Sequence, residues 1–409
     1  MKKSSFVLVG VILLAFCYSC IFKGDACANR IPFVINPLDR HMVLQVKFND
    51  SIMANMMFDS GWHRFKFDLD SAFCSEHPDL IATSSVMNVG VNNSGWTSEF
   101  RTKSTQYTLP PKMKIGEMNY TYSCFSVSNL KRIWGPLTVD GIFNIPADDS
   151  THVWELNFEH NYIETHSVNN FVMPKNCFIF PLEKDTSLAF SIQIPIQIQC
   201  ASGDTLTINR PFVIDTGAAH DICLMYQTPE LQFFNKQQDA VWLQFVDRYC
   251  RYYTVQATMC DVFQMDSVRI YTYDFPNNVP NYVLGTNFLK RFNVYFDLPN
   301  RRIGLQPHKN YQRVVNPLTK RYYMGLRNDS RGLPSIVAKI ADYPGNPYQE
   351  AGFRLGDMVT SVDTVKLENT TREALAYLQD ADSITYSIIR DGKPMKITVH
   401  FDRSIPQGD

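Results

Sequence analysis

One short pattern of chemically capable residues occurs twice in the chain, as Asp59-Ser60-Gly61 and as Asp215-Thr216-Gly217. Each joins a carboxylate, a hydroxyl and a glycine. Two carboxylates brought within about 3 Å of each other cannot both ionise cheaply, so they share one proton, and one can serve as base while the other serves as acid. Taken alone, such a triplet is usually a turn, because all of its residue types favour turns. The flanking elements decide between a turn and a site.

Both triplets end a strand pattern. Residues Met42 to Phe58 read as two alternating strands about Asn49-Asp50, with Val43, Leu44, Val46 and Phe48 running in and Met56-Met57-Phe58 running out. In the second copy Ile192, Ile194, Ile196 and Ile198 alternate with polar residues and Pro195, a turn falls near Ser202-Gly203-Asp204, and Phe212-Val213-Ile214 leads into Asp215. The order continues downstream. After the first triplet come Val139-Asp140-Gly141-Ile142-Phe143-Asn144-Ile145 and a hairpin from Leu156 to Ile163; after the second come Tyr282-Val283-Leu284-Gly285-Thr286-Asn287-Phe288-Leu289 and a hairpin from Val294 to Leu305. Self-similarity on this scale argues for two related lobes.

This order of motifs resembles the bilobal aspartic peptidases of the pepsin type, over roughly residues 32 to 308. The segment Val283 to Leu289, followed by Val294-Tyr295-Phe296-Asp297 and Arg302-Ile303-Gly304-Leu305, is especially close to the end of a pepsin C-terminal lobe, and Asp140-Gly141-Ile142 is similar to the matching N-terminal segment. A retropepsin carries one triplet per chain and must dimerise; here both lie in one chain. The resemblance implies that Asp59 and Asp215 form the catalytic pair, that Gly61 and Gly217 permit the tight turns beneath the carboxylates, and that Ser60 and Thr216 hydrogen-bond across the lobe interface. It implies no metal and no organic cofactor. Two departures stand in the first half: Trp62 and His63 follow Gly61 where small residues are usual, and Asn144 takes the place of an expected glycine. Either could crowd or reshape that half-site. The histidines just past the triplets, His63 and His220, are expected to face solvent or backbone groups rather than a metal. Val89-Gly90-Val91-Asn92-Asn93-Ser94-Gly95-Trp96 has the turn chemistry of a substrate-covering hairpin.

A third unit follows. Tyr323-Met324-Gly325-Leu326, Ile336-Val337-Ala338-Lys339-Ile340 and Glu350-Ala351-Gly352-Phe353-Arg354-Leu355-Gly356-Asp357-Met358-Val359 resemble a bacterial PDZ domain, completed by a helix around Thr371 to Gln379 and strands joined at Asp391-Gly392. Such a domain binds an extended peptide as an added strand. The resemblance implies Tyr323, Met324, Gly325 and Leu326 as the groove for a C-terminal peptide; simple docking on the lobes or on another envelope protein is the alternative.

Composition bounds the rest. At roughly 150 residues per domain, 409 residues allow about two to three folded units, and 45% hydrophobic with 19% charged residues excludes wholesale disorder. A net charge of −1 gives no broad reason to bind nucleic acid. Lys2 and Lys3 before the apolar run Phe6 to Phe16 form a signal peptide over residues 1–20, and Ser19-Cys20 resembles a bacterial lipoprotein signal, with Cys20 the acylated, membrane-anchoring residue; plain signal cleavage and an uncleaved anchor are the other readings. Ten cysteines, less Cys17 and Cys20, are scattered without zinc spacing and read as buried thiols or one or two structural disulfides; if one bridge is chosen it is Cys250–Cys260, because both flank a candidate hairpin in the second half. The expected chain is therefore mainly β: an N-terminal lobe over 30–180, a C-terminal lobe over 181–310, a linker over 311–321 and a small α+β PDZ unit over 322–403. The expected function is that of an exported aspartic endopeptidase acting on polypeptides. A non-catalytic peptide-binding envelope lipoprotein on the same scaffold is the alternative.

Overall fold

The computed structural model describes residues 30–35, 41–92, 102–130, 139–147, 149–183, 189–245, 249–273, 281–308, 324–328, 334–342, 346–366 and 382–401. The signal segment with Cys20, the hairpin tip with Trp96, the linker over 311–321, Tyr323 and the helix around Thr371 lie outside them. The protein is mainly β. Among the described residues the strands assemble into two sheets, of fifteen and thirteen strands, and no helix is long and apolar enough to cross a membrane.

The two halves build the same local figure around each triplet. In the first, Met42–Phe48 and Ile52–Phe58 form the hairpin expected from their alternation, with Met42 opposite Phe58. The outgoing strand then takes Gly141–Phe143 as a parallel neighbour, Phe143 beside Phe58, and Lys66–Asp70 packs antiparallel on the other side of that short strand. In the second half Ser191–Gln199 pairs with Thr205–Asp215, which takes Tyr282–Gly285 in parallel, Asp215 beside Gly285; Ile222–Leu224 closes the far side antiparallel. Each triplet thus leaves the end of a strand held between a hairpin partner and a short parallel strand. The buried edges are apolar throughout: Met56, Phe58, Ile142 and Phe143 in one half, and Phe212, Ile214, Ile222 and Leu284 in the other, have no exposed surface. Burial of this kind, at about 25 cal/mol per Å² of apolar surface, is what stabilises the figure.

The closing hairpins join the halves. His152–Asn157 of the first pairs antiparallel with Phe292–Asp297 of the second, setting Trp154 opposite Phe296 and Leu156 opposite Val294. The strands Phe178–Pro181 and Arg302–Pro307 extend the same sheet. One contiguous core runs through both halves, from Phe33 and Phe58 to Ile214 and Phe296.

The third unit has its own core, formed by Val337, Tyr348, Phe353, Val359, Ile388 and Val399 among others. It is joined to the second half through the backbone: Pro334–Asp342 pairs antiparallel with Val241–Phe245, Leu243 opposite Ala341.

Neither Cys250 nor Cys260 is in a disulfide. They do not flank a hairpin but cap the two ends of one strand, Tyr249–Met259. An extended chain rises about 3.3 Å per residue, so their separation is on the order of 30 Å, far outside disulfide reach.

Candidate active site

The two triplets meet. Ser60 and Thr216 are fully buried and exchange a reciprocal set of hydrogen bonds. The Ser60 N–H donates to Thr216 Oγ1 at 2.9 Å, and the Thr216 N–H donates to Ser60 Oγ at 3.0 Å. Each hydroxyl passes its own proton on across the interface, Ser60 Oγ to the Ile214 carbonyl at 2.8 Å and Thr216 Oγ1 to the Phe58 carbonyl at 2.9 Å. A residue with one donor and two lone pairs at each centre is what this closed pattern requires, and Ser and Thr supply it. Four buried groups are satisfied by residues 154 to 158 positions apart, so the strand ends are tied to each other and not only to their own sheets.

The tie brings the carboxylates into contact. Asp59 and Asp215 lie within interaction range of each other, each carboxylate set against the glycine of the other triplet. Asp59 Oδ1 accepts the Gly61 N–H at 2.9 Å; Asp215 Oδ1 accepts the N–H groups of Gly217 at 2.8 Å and Ala218 at 3.1 Å. The glycines are demanded by proximity: a Cβ on Gly61 would lie 2.5 Å from the Asp215 carboxyl carbon, and one on Gly217 would overlap the Asp59 carboxylate. Asp59 is 4% exposed, whereas Asp215 is only half buried. Burial pushes the Asp59 carboxyl well above its ordinary range, and the neighbouring Asp215 charge pushes it further. Asp215 is also raised by burial, but the Asp59 proton and two backbone N–H donors hold it back. The pair therefore retains one proton between its two carboxyls, with Asp59 the more strongly raised, and titrates as a unit.

The departures in the first half are accommodated. Asn144 is fully buried and does not crowd the loop; its amide donates to the carbonyls of Ser60 at 3.0 Å and Trp62 at 2.8 Å, while its own Oδ1 accepts the Ile145 N–H. Those are the duties that Thr286 discharges in the other half, where its Oγ1 donates to the Thr216 carbonyl at 2.7 Å and its N–H to the Ala218 carbonyl at 2.7 Å. A side-chain amide replaces a hydroxyl plus a backbone N–H. Trp62 lies against Val43, Met57, Leu130, Val139 and Ile142, with its ring 5.9 Å from the Lys66 ammonium, and its backbone N–H donates to the Asp59 carbonyl at 3.0 Å. The ring is thus taken up by an apolar cluster.

His41 is a residue of the site that the motifs do not disclose. It is 8% exposed, and its Nε2 lies 2.9 Å from the Gly217 carbonyl across 176 residues. A carbonyl only accepts, so Nε2 carries the proton and the side chain adds a second link between first-half backbone and the second triplet. The strand start at Met42 marks its neighbourhood, but no spacing connects it to Asp215. Of the two histidines beside the triplets, His63 is half buried, with burial and the Lys66 charge lowering its pKa to about 4. His220 Nε2 sits 3.0 Å from the Tyr273 hydroxyl. Behind the second loop, the buried Asp221 and Arg291 pair at 2.6 Å.

Of the residues read as a peptide groove, Met324, Gly325 and Leu326 lie on the strand Met324–Asn328, which pairs with Pro334–Asp342 along one edge; among the described residues its other edge is open.

No protein-family model matches the chain, and no curated protein matches it in sequence. Among solved structures, the aspartic proteinase from Irpex lacteus is similar to it with a TM-score of 0.45 and 14% identity, over 68% of this chain and 97% of that one.

Proposed function

We propose that the chain is an aspartic endopeptidase of the pepsin-like class. The single observation that carries this reading is the contact between a buried, proton-retaining Asp59 and a more exposed, more acidic Asp215. Asp215 takes a proton from a water molecule as the water attacks the scissile carbonyl, and Asp59 gives its proton to the carbonyl oxygen. The tetrahedral adduct then collapses as a proton passes from the pair to the departing amine. Preorganisation keeps the geometry ready, since both carboxylates are already oriented by backbone donors. The same proposal takes residues 324–326 as a strand-addition site for a peptide C-terminus, and the N-terminal segment as an export signal with acylation at Cys20.

The test is cleavage of a peptide library by the mature protein over a pH series, beside Asp59→Asn and Asp215→Asn. Cleavage by the wild type on the acid side, lowered by about 10²–10⁴-fold in either variant, is the expected result. A wild type inert at every pH, or variants that cut equally well, would overturn the catalytic reading.

A further inference from the structure

The hairpin of Val86–Asn92 and Thr102–Tyr107 roofs a cavity of about 220 Å³. Its floor comes from Lys66 and Ser126 on two parallel neighbouring strands, and His63 lines it from the loop that follows Asp59. From the hairpin side Asn88, Ser104 and Gln106 face it. Six hydrogen-bonding side chains therefore converge on one space a few residues from the pair, an unusual lining for a pocket on a β scaffold, where apolar walls prevail.

Its charge is set by Lys66. The ammonium forms an ion pair with Asp68 Oδ1 at 3.2 Å and donates to Ser126 Oγ at 3.2 Å. An ammonium has three donors, so among the described residues one remains for an acceptor in the cavity. Asp68 lies behind Lys66 without exposed surface, while the lysine side chain keeps 14% of its own. Burial raises the Asp68 carboxyl, which weakens it as a counter-ion as the pH falls. His63 stays neutral above about pH 4 and adds no competing charge there.

We propose that this cavity receives an acidic side chain of the substrate, Glu or Asp, and that Lys66 is the specificity-determining residue. The proposal rests on the hydrolytic reading of Asp59 and Asp215, since it makes the cavity a part of the same substrate-binding surface. A carboxylate entering it replaces the lost hydration of Lys66 with a charge-assisted hydrogen bond. An apolar side chain would strip water from Lys66, Asn88 and Gln106 and return nothing.

The test uses peptides identical except for Glu, Gln or Leu at each position around the cleavage site, with kcat/KM measured for the full-length protein and three variants. K66R keeps the cation. K66Q/D68N removes both charges together, so that no buried carboxylate is left unpaired. Ser104→Asp places a carboxylate on the hairpin side, away from the buried pair. At one position the wild type and K66R should favour Glu over Leu by ten-fold or more, and both K66Q/D68N and Ser104→Asp should bring that ratio to near one. Absence of any Glu-preferring position, or a preference unchanged in both charge-altering variants, overturns the proposal. Binding of the same peptides to Asp215→Asn by fluorescence anisotropy separates the two readings. A Glu preference in binding without cleavage by the wild type upholds the cavity and sinks the hydrolytic reading; cleavage with no Glu preference in binding does the reverse.

Discussion

A carboxyl kept protonated inside a protein leaves a mark on stability as well as on chemistry. The native state holds a proton on Asp59 that the unfolded chain releases above about pH 4. Because the folded-state pKa is raised, the native state is best supported below the unfolded pKa, and support is lost as pH rises from there toward the folded value. Asp59→Asn has no such titration. Urea denaturation of the two proteins at several pH values should therefore show the variant gaining on the wild type as the pH rises above about 4, the ordinary carboxylate value, and converging with it at lower pH. A difference independent of pH would mean that Asp59 ionises in the native state as freely as in the unfolded chain. The same burial that makes Asp59 an acid thus makes the native site less stable at neutral pH than an uncharged one.

At the scale of elements, the loops that carry the carboxylates are held from behind by short parallel strands, and the residues just past those strands do the holding. Asn144 clamps the first loop through two carbonyls, as Thr286 clamps the second. Asn144→Ala leaves those buried carbonyls without a donor, at about 1–3 kcal/mol for each unsatisfied group. The variant should melt earlier than the wild type, and its kcat should fall more than its KM rises, because the loop carries the reacting group. A melting temperature equal to that of the wild type would show that the amide is dispensable. The strand Tyr249–Met259 bears a second prediction: the thiols at its two ends, Cys250 and Cys260, are not disulfide-bonded. Alkylation of protein denatured without reductant should modify both of them, as read by mass spectrometry.

The whole molecule is two similar halves with a third unit continued from the second by backbone pairing. Ending the chain after His308 leaves the shared core of the halves intact but opens the strand Val241–Phe245 as a sheet edge, with Trp242 already 43% exposed. Exposed edges of this kind recruit other chains, so the shortened protein should stay folded by circular dichroism but associate with concentration in light scattering, where the full chain does not. How much of this architecture is legible in sequence depends on the range of the interactions involved. Alternation through Val43 to Phe48 and through Ile192 to Ile198 writes each hairpin into the chain, because a strand's side chains change face at every residue. The repeated triplets likewise mark the two points where chemistry is available. Their meeting is a different matter. Neither the 156-residue span between Ser60 and Thr216 nor the 176-residue span from His41 to Gly217 has a period to betray it. Asn144 reads as an intruder until the Ser60 and Trp62 carbonyls are seen to need its amide, and Lys66 reads as a strand residue until a hairpin closes over it. Local patterning by itself determined the strands, the repeat and the candidate carboxylates. Only the tertiary structure decided which backbone groups face each other, and with them the shared proton, since desolvation and contact exist only once distant segments have packed.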